Sequence, residues 1–212
     1  MARASAPVAP PRTLVIACGA LAREILAVIE ANRLDHLSVT CLPASLHNRP
    51  ERIPGAVRRK VRAGRKHFDA IVCLYGDCGT GGELDRMLAE EGVERIDGPH
   101  CYAFYAGLDT FEALAEEEIG TFYLTDYLVR HFDRLVWKGL GLDRHPDLRD
   151  AYFGHYVRVL YLAQTDDPAL DQKASHAAER LGLAYARRST GLLGLSDWAR
   201  TIAPSSPGAL HG

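Results

Sequence analysis

Three cysteines stand where apolar, strand-like runs give way to turns: Cys18 in TLVIACGALARE, Cys78 in AIVCLYGDCGTGG and Cys101 in DGPHCYAFYAG. In an open α/β sheet the carboxyl ends of the strands form the edge where ligands bind. Thiols brought to that edge from three distant stretches can hold one metal centre and leave a position open. Thiolates suit zinc and iron–sulfur clusters alike, so softness does not separate the two. Cys18 leads directly into a helical segment, whose terminal amides favour the thiolate. Taken alone it reads equally well as a small buried filler. Cys78 is set among Gly76, Gly79, Gly81 and Gly82, which let the backbone approach a ligand closely. Their amides could also cradle an anion.

Other groups join these cysteines with less specificity. Asp77 reads first as a turn residue and second as a general base or ligand. His100, beside Cys101, is a candidate proton carrier or fourth ligand. Neighbours on extended chain point opposite ways, so Cys101 is preferred over His100 as the metal ligand. His47 and Arg49 follow the second strand in LHNRPER. Arg49 could clamp a carboxylate or phosphate, and a surface loop is the plain alternative. The candidate set is therefore Cys18, Cys78 and Cys101 for a metal and His100 and Asp77 for catalysis. Gly76, Gly79, Gly81, Gly82, His47 and Arg49 are the candidates for holding a cofactor. Cys73 reads as core and Cys41 as core or a spare ligand. No CxxC pair is present, which argues against a zinc ribbon or finger. GDCGTGG has neither the lysine of a P-loop nor the dinucleotide-binding spacing.

The elements that must position these residues are legible as alternating runs. Leu14–Ala17, Leu37–Leu42, Asp69–Tyr75, Val93–Asp97, Val157–Ala163 and Ala184–Arg188 read as strands. LAREILAVIEANR, ELDRMLAEEG and Pro168–Leu181 have helical spacing. LHNRPERIPG reads as a polar loop whose prolines resist helix, and Val57–Lys66 as a basic helix. Thr110–Gly139 reads as helical, with aromatics at Phe122, Tyr123, Tyr127, Phe132 and Trp137, and Pro146–Tyr156 as a further helix. The expected fold is a Rossmann-like three-layer α/β sandwich on a mainly parallel sheet, with a helical insert at about 110–156. Residues 1–12 are expected to be a disordered tail, 13–199 one α/β domain and 200–212 a flexible tail.

Composition narrows the function. The chain has 212 residues and a net charge of −2, without the basic excess expected of a general nucleic-acid binder. The run RRKVRAGRK, Arg58–Lys66, is a solvated helix face or, less simply, a patch for phosphate or an acidic partner. No stretch approaches the roughly 18 apolar residues of a membrane span. No secretory h-region opens the chain. The expectation is a cytoplasmic protein whose five cysteines stay reduced and are available for metal or catalysis.

CGALARE, LHNRPERIP, YGDCGTGG and GPHCYAFYAG together resemble the bacterial and archaeal family labelled domain of unknown function 1638. The resemblance runs from about Thr13 to about Trp198, and Cys18, Cys78 and Cys101 stand inside its motifs. It implies a setting near trimethylamine-type and corrinoid-dependent methyl transfer, with a corrinoid or methyltransferase protein as an expected partner. The resulting expectation is a metal-binding protein, a candidate metal-dependent transferase. Its three cysteines hold zinc or an iron–sulfur cluster and act on a small-molecule substrate in one-carbon metabolism, with no nucleic acid or membrane involved. Two alternatives stay open. One is an accessory protein that binds a small anion or cofactor without turnover. The other is a thiol enzyme with Cys18 or Cys78 as nucleophile and His100 as base.

Overall fold

The computed structural model describes residues 10–96 and 98–202. It contains two separate parallel sheets with helices packed around them. The first begins with β1, Thr13–Cys18, an unbroken apolar run buried along its whole length. That pattern belongs to a central strand covered on both faces. A 3₁₀ turn over Gly19–Leu21 leads into α1, Ala22–Ala31, and then β2, Leu37–Leu42. Two further 3₁₀ turns, Ala44–Asn48 and Pro50–Arg52, precede α2, Ile53–Gly64. β3 is Ala70–Leu74, α3 is Glu83–Glu91, and the short β4 is Glu94–Arg95. The strand order is β2-β1-β3-β4. The chain moves outward from β1 to β2, then returns to place β3 on β1's other side. A topological switch point therefore lies between β1 and β3, the position where open α/β sheets bind ligands.

Two short helices, α4 (Cys101–Ala106) and α5 (Leu108–Glu117), bridge to the second sheet. There β5, Thr121–Thr125, is followed at once by α6, Asp126–Arg130, a π-helical turn over Asp133–Trp137 and α7, Leu148–Phe153. β6 (Arg158–Ala163), α8 (Pro168–Leu181) and β7 (Ala184–Ser189) complete it in the order β5-β6-β7. The last helix, α9 (Leu193–Ile202), returns to pack on α1 and α4. Its Trp198 enters the core of the first sheet. Ala103 of α4 packs with Phe111, Tyr123, Leu160 and Leu162 against the second sheet, while Cys101 and Phe104 belong to the first sheet's core. Helix α4 is thus the wedge between the two halves.

The expected Rossmann-like α/β sandwich with parallel strands is observed, with four local differences. The stretch 110–156 is not wholly helical, because it carries β5. The prolines before residue 57 do not keep the chain out of helix. Pro54 sits in the first turn of α2, where its missing N–H costs nothing. Residues 11–12 are tied down: the Arg12 carbonyl accepts from the Asp69 and Ala70 amides at 2.9 and 3.3 Å. The remainder of the proposed leading tail (1–9) and most of the trailing one (203–212) lie outside the described residues, as does Asp97. Arg200 to Ile202, expected in that trailing tail, close α9.

Half of the six cations in the basic run are spent on structure. Arg58 and Arg62 on α2, and Arg65 just after it, all meet Glu91 on α3, and Arg58 also meets Glu90. Arg59 and Lys66 of the same run remain exposed. No helix among the described residues is long and apolar enough to cross a membrane.

Candidate functional site

Four successive strand ends of the first sheet deliver the candidate residues to its carboxyl edge. Cys18 is the last residue of β1. Its sulfur accepts the Ala20 amide at 3.4 Å and so caps the following 3₁₀ turn. Gly19 lies so close to the β2 exit that a Cβ would stand 2.9 Å from the Leu42 carbonyl oxygen. That close approach sets the His47 turn beside Cys18, with the His47 Nδ1 4.0 Å from its sulfur. Two loops then meet at the far side. The Cys78 amide donates to the Pro99 carbonyl at 3.1 Å. Gly76 lies flush on the His100 backbone, where a Cβ would approach to 2.8 Å. Cys101, first residue of α4, is held beside Cys78 by this contact.

Cys78 adopts φ +48°, a left-handed conformation that costs a non-glycine residue about 1–2 kcal/mol. Such outliers gather at functional sites. Asp77 organises the turn around it. Its carboxylate accepts from Thr80 Oγ1 at 2.6 Å, Gly82 N at 2.9 Å and Gly81 N at 3.2 Å. The Thr80 hydroxyl and these amides hold its carboxyl below the usual range. Asp77 is therefore a loop organiser, and the Gly81 and Gly82 amides it occupies are not an open cradle for an anion. Arg49 lies at the solvent surface, between the two 3₁₀ turns. His47 and Asn48 reach a cavity wall, and Arg49 does not.

The sulfurs act on one another and on the same neighbours. The Cys101 thiol, with His100 and His47, holds Cys78 down at about 3 against the opposing effect of burial. Cys101 is pushed well up in return, by the Cys78 thiolate first and by burial. Burial alone would lower His47, but its contacts with Cys18 and Cys78 overrule that and raise it to about 11. Tyr75, one residue beyond β3, is fully buried and stacks on His47 at 6.1 Å. Burial raises its hydroxyl, and Cys18, Cys78 and Cys101 all add to that. All three cysteines thus act on this one phenol. Cys73 lies in the core, where burial pushes its thiol up to about 12. Cys41 is half-buried, its thiol raised by burial and by Cys18.

Two buried polar atoms in this cluster have no hydrogen-bond partner, Tyr75 Oη and His47 Nε2. His47 Nδ1 meanwhile sits 3.0 Å from the Ala44 carbonyl. One nitrogen on a backbone carbonyl and the other free is how ligand histidines are oriented toward metals. Among the described residues, no three His, Cys, Asp or Glu side chains already stand in ligand geometry about one point.

Two cavities flank the cluster. One, of about 600 Å³, takes Cys78, Cys101, His47 and His100 into its wall. His100 lies at the surface there, against Tyr102 and Phe111. The other, of about 210 Å³, lies behind Cys101 and His47. A larger groove of about 940 Å³ beside α8 is lined mostly by polar and charged side chains and contains none of the cysteines.

Three polar residues show their surroundings only in three dimensions. Tyr75 ends an apolar run just before the glycine turn, which is the one sequence signal it carried. Asp126 is completely buried after β5. Glu24 on α1 is buried with Oε2 unpartnered. Burial raises its pKa, with Asp126 adding to the rise and Arg130 opposing it. The folded state therefore binds this proton more tightly than the unfolded chain does. The associated stability is complete below about pH 4.5, the ordinary value, and is lost as pH rises through the raised one. Glu24→Gln is expected to match the wild type in urea unfolding at about pH 4 and to exceed it increasingly toward neutrality. An equal difference at both pH values would refute this.

No curated protein and no solved structure matches the chain. The model of one family, described as a protein of unknown function (DUF1638), matches residues 41–198. The matched span contains His47, Cys78, His100 and Cys101, while Cys18 precedes it. The chain belongs to the DUF1638 family.

Proposed function

We propose that this protein binds a thiophilic metal through Cys18, Cys78 and Cys101, with zinc the first choice and one position left for exchange. The observation that carries this reading is the delivery of three cysteines to one carboxyl edge beside the switch point: Cys18 ends β1, and Cys78, bonded through its amide to Pro99, lies beside Cys101 at the start of α4. Three protein ligands with the fourth position exchangeable is the usual arrangement of a catalytic zinc. Bound zinc would act as a Lewis acid and hold an incoming thiol as thiolate. Around it the chain's own groups have clear tasks. The Ala44 carbonyl orients His47, the Pro99 carbonyl and Gly76 fix Cys78 against Cys101, and His100 stands beside Cys78 at the cavity mouth to carry a proton. Activation of a small thiol for group transfer fits this arrangement. The link to methyl transfer and a corrinoid-dependent partner comes from the family resemblance alone.

A second reading has its own support. Cys78 held at about 3 and His47 raised to about 11 describe the thiolate–imidazolium pair of a thiol nucleophile. Metal content of anaerobically purified protein separates the two. The metal reading expects about one zinc per chain, reduced at least tenfold in Cys18→Ser, Cys78→Ser and Cys101→Ser and unchanged in Cys41→Ser. Brown protein carrying iron and sulfide would replace zinc with a cluster. Metal-free protein in which iodoacetamide labels Cys78 first would favour the nucleophile.

A further inference from the structure

The 210 Å³ cavity behind Cys101 is distinct in character from the rest of the site. Tyr105, Phe122, Leu128, Leu135, Val136 and Leu140 make much of its wall, and no Arg, Lys, Asp or Glu lines it. Its polar atoms are few and include those of His47 and Cys101, at the thiol cluster. Both halves of the molecule build it: Ala20 and Ala44 come from the first sheet's exits, and Phe122 and Leu128 from β5 and α6. Leu135 and Val136 come from the π-helical turn at 133–137, a backbone distortion that recurs at functional sites. The volume exceeds the roughly 150 Å³ of an apolar cavity that stays dry and accepts benzene. His47, Cys101, Tyr102 and Phe122 also wall the larger cavity, which places an approach from solvent at the same corner.

We propose that this cavity seats a small, uncharged, mainly apolar ligand that lies against Cys101 and His47. The class is a neutral molecule of about the size of a substituted benzene, or somewhat larger. A carboxylate or phosphate would lose its hydration there, with no Arg or Lys in the wall to replace it and with the one histidine, His47, already engaged by Cys18 and Cys78. The inference also selects against the small-anion alternative read from the sequence. Seating of the body does not require a metal. Only a sulfur head placed at the exchangeable position would rest on the proposed metal centre.

The test uses the full chain and two probes of similar shape, toluene and benzoate, followed by ligand-observed NMR. Toluene is expected to bind the wild type, and benzoate to bind at least tenfold more weakly. Val136→Trp should fill the cavity and abolish toluene binding. Because that variant could fail to fold, Leu140→Ala is measured beside it. It enlarges the cavity and should bind naphthalene at least tenfold more tightly than the wild type does. Benzoate binding as well as toluene, no toluene binding, or indifference of both variants would overturn the proposal. A separate arm adds phenylmethanethiol to protein titrated with cobalt(II). A shift of the cobalt absorption in the wild type, lost in Val136→Trp, supports a ligand that spans cavity and metal. If no cobalt binds, the metal reading fails while the toluene result still decides the cavity. If cobalt binds but toluene does not, the cavity inference fails alone.

Discussion

Asp126→Ala is expected to lower the unfolding free energy by about 3–5 kcal/mol, the range for removing one partner from a buried charged network. The carboxylate is fully buried and accepts from four groups. These are Thr165 Oγ1 at 2.5 Å, Tyr161 Oη at 2.7 Å, the Gln164 amide at 3.0 Å and Arg130 at 3.4 Å. The Asp126 amide in turn donates to Gln164 Oε1 at 2.8 Å. Alanine would strand the buried Tyr161 hydroxyl and Gln164 amide, whereas Thr165 and Arg130 can turn to solvent. Asp126→Asn keeps the volume and one acceptor oxygen and should cost about half as much. Asp126 opens α6, which supplies Leu128 to the apolar cavity. Urea unfolding monitored by tryptophan fluorescence reads the effect. A cost under about 1 kcal/mol, the worth of one ordinary hydrogen bond, would show that the network relaxes without its acceptor.

Gly76→Ala is expected to damage stability and the site together. Its Cβ would lie 2.8–3.0 Å from the Cα, C and N of His100, and backbone cannot swing aside as a flexible side chain can. Separating the two loops costs about 1–3 kcal/mol, as overpacking does. The same displacement pulls Cys78 away from Cys101, so metal affinity should fall at least a hundredfold. Gly81→Ala is the control. Gly81 has φ +60° but nothing within 4 Å of the added Cβ. It should lose about 1 kcal/mol to backbone strain and keep its metal affinity within a few-fold. Equal metal affinity in Gly76→Ala and wild type would mean that this loop contact does not position the thiols.

Several elements could be read from the sequence because local signals agreed. α8 spans the expected Pro168–Leu181, with Asp167 accepting from the Ala169 amide as cap, Pro168 in the first turn and Gly182 in the left-handed position after its end. β2 and β6 were visible as apolar runs. β5 was not, because TFYLT is followed without a break by Asp126–Arg130, and the aromatics at 122, 123 and 127 fit helical spacing as well as a strand. Only pairing with β6, through residues more than thirty positions away, decides for strand. The second sheet was hidden for the same reason.

The candidate site divides along the same line. Cys18, Cys78 and Cys101 could be picked out because each follows a strand-like run, and strand ends share an edge. His47 was legible by the same logic, though only the fold shows which nitrogen is free. Asp77 and the amides of Gly81 and Gly82 were ambiguous in sequence, and their mutual hydrogen bonds remove them from ligand binding. Tyr75, Glu24 and Asp126 owe their importance to what surrounds them, and no spacing rule carries that information.

The most direct measurement is zinc K-edge X-ray absorption on protein reconstituted with one equivalent of zinc under anaerobic conditions. The account predicts three sulfur scatterers at about 2.3 Å and one lighter nitrogen or oxygen neighbour, with one sulfur lost in Cys18→Ser, Cys78→Ser or Cys101→Ser. A shell of oxygen and nitrogen alone, or a sulfur count untouched by all three substitutions, would contradict it.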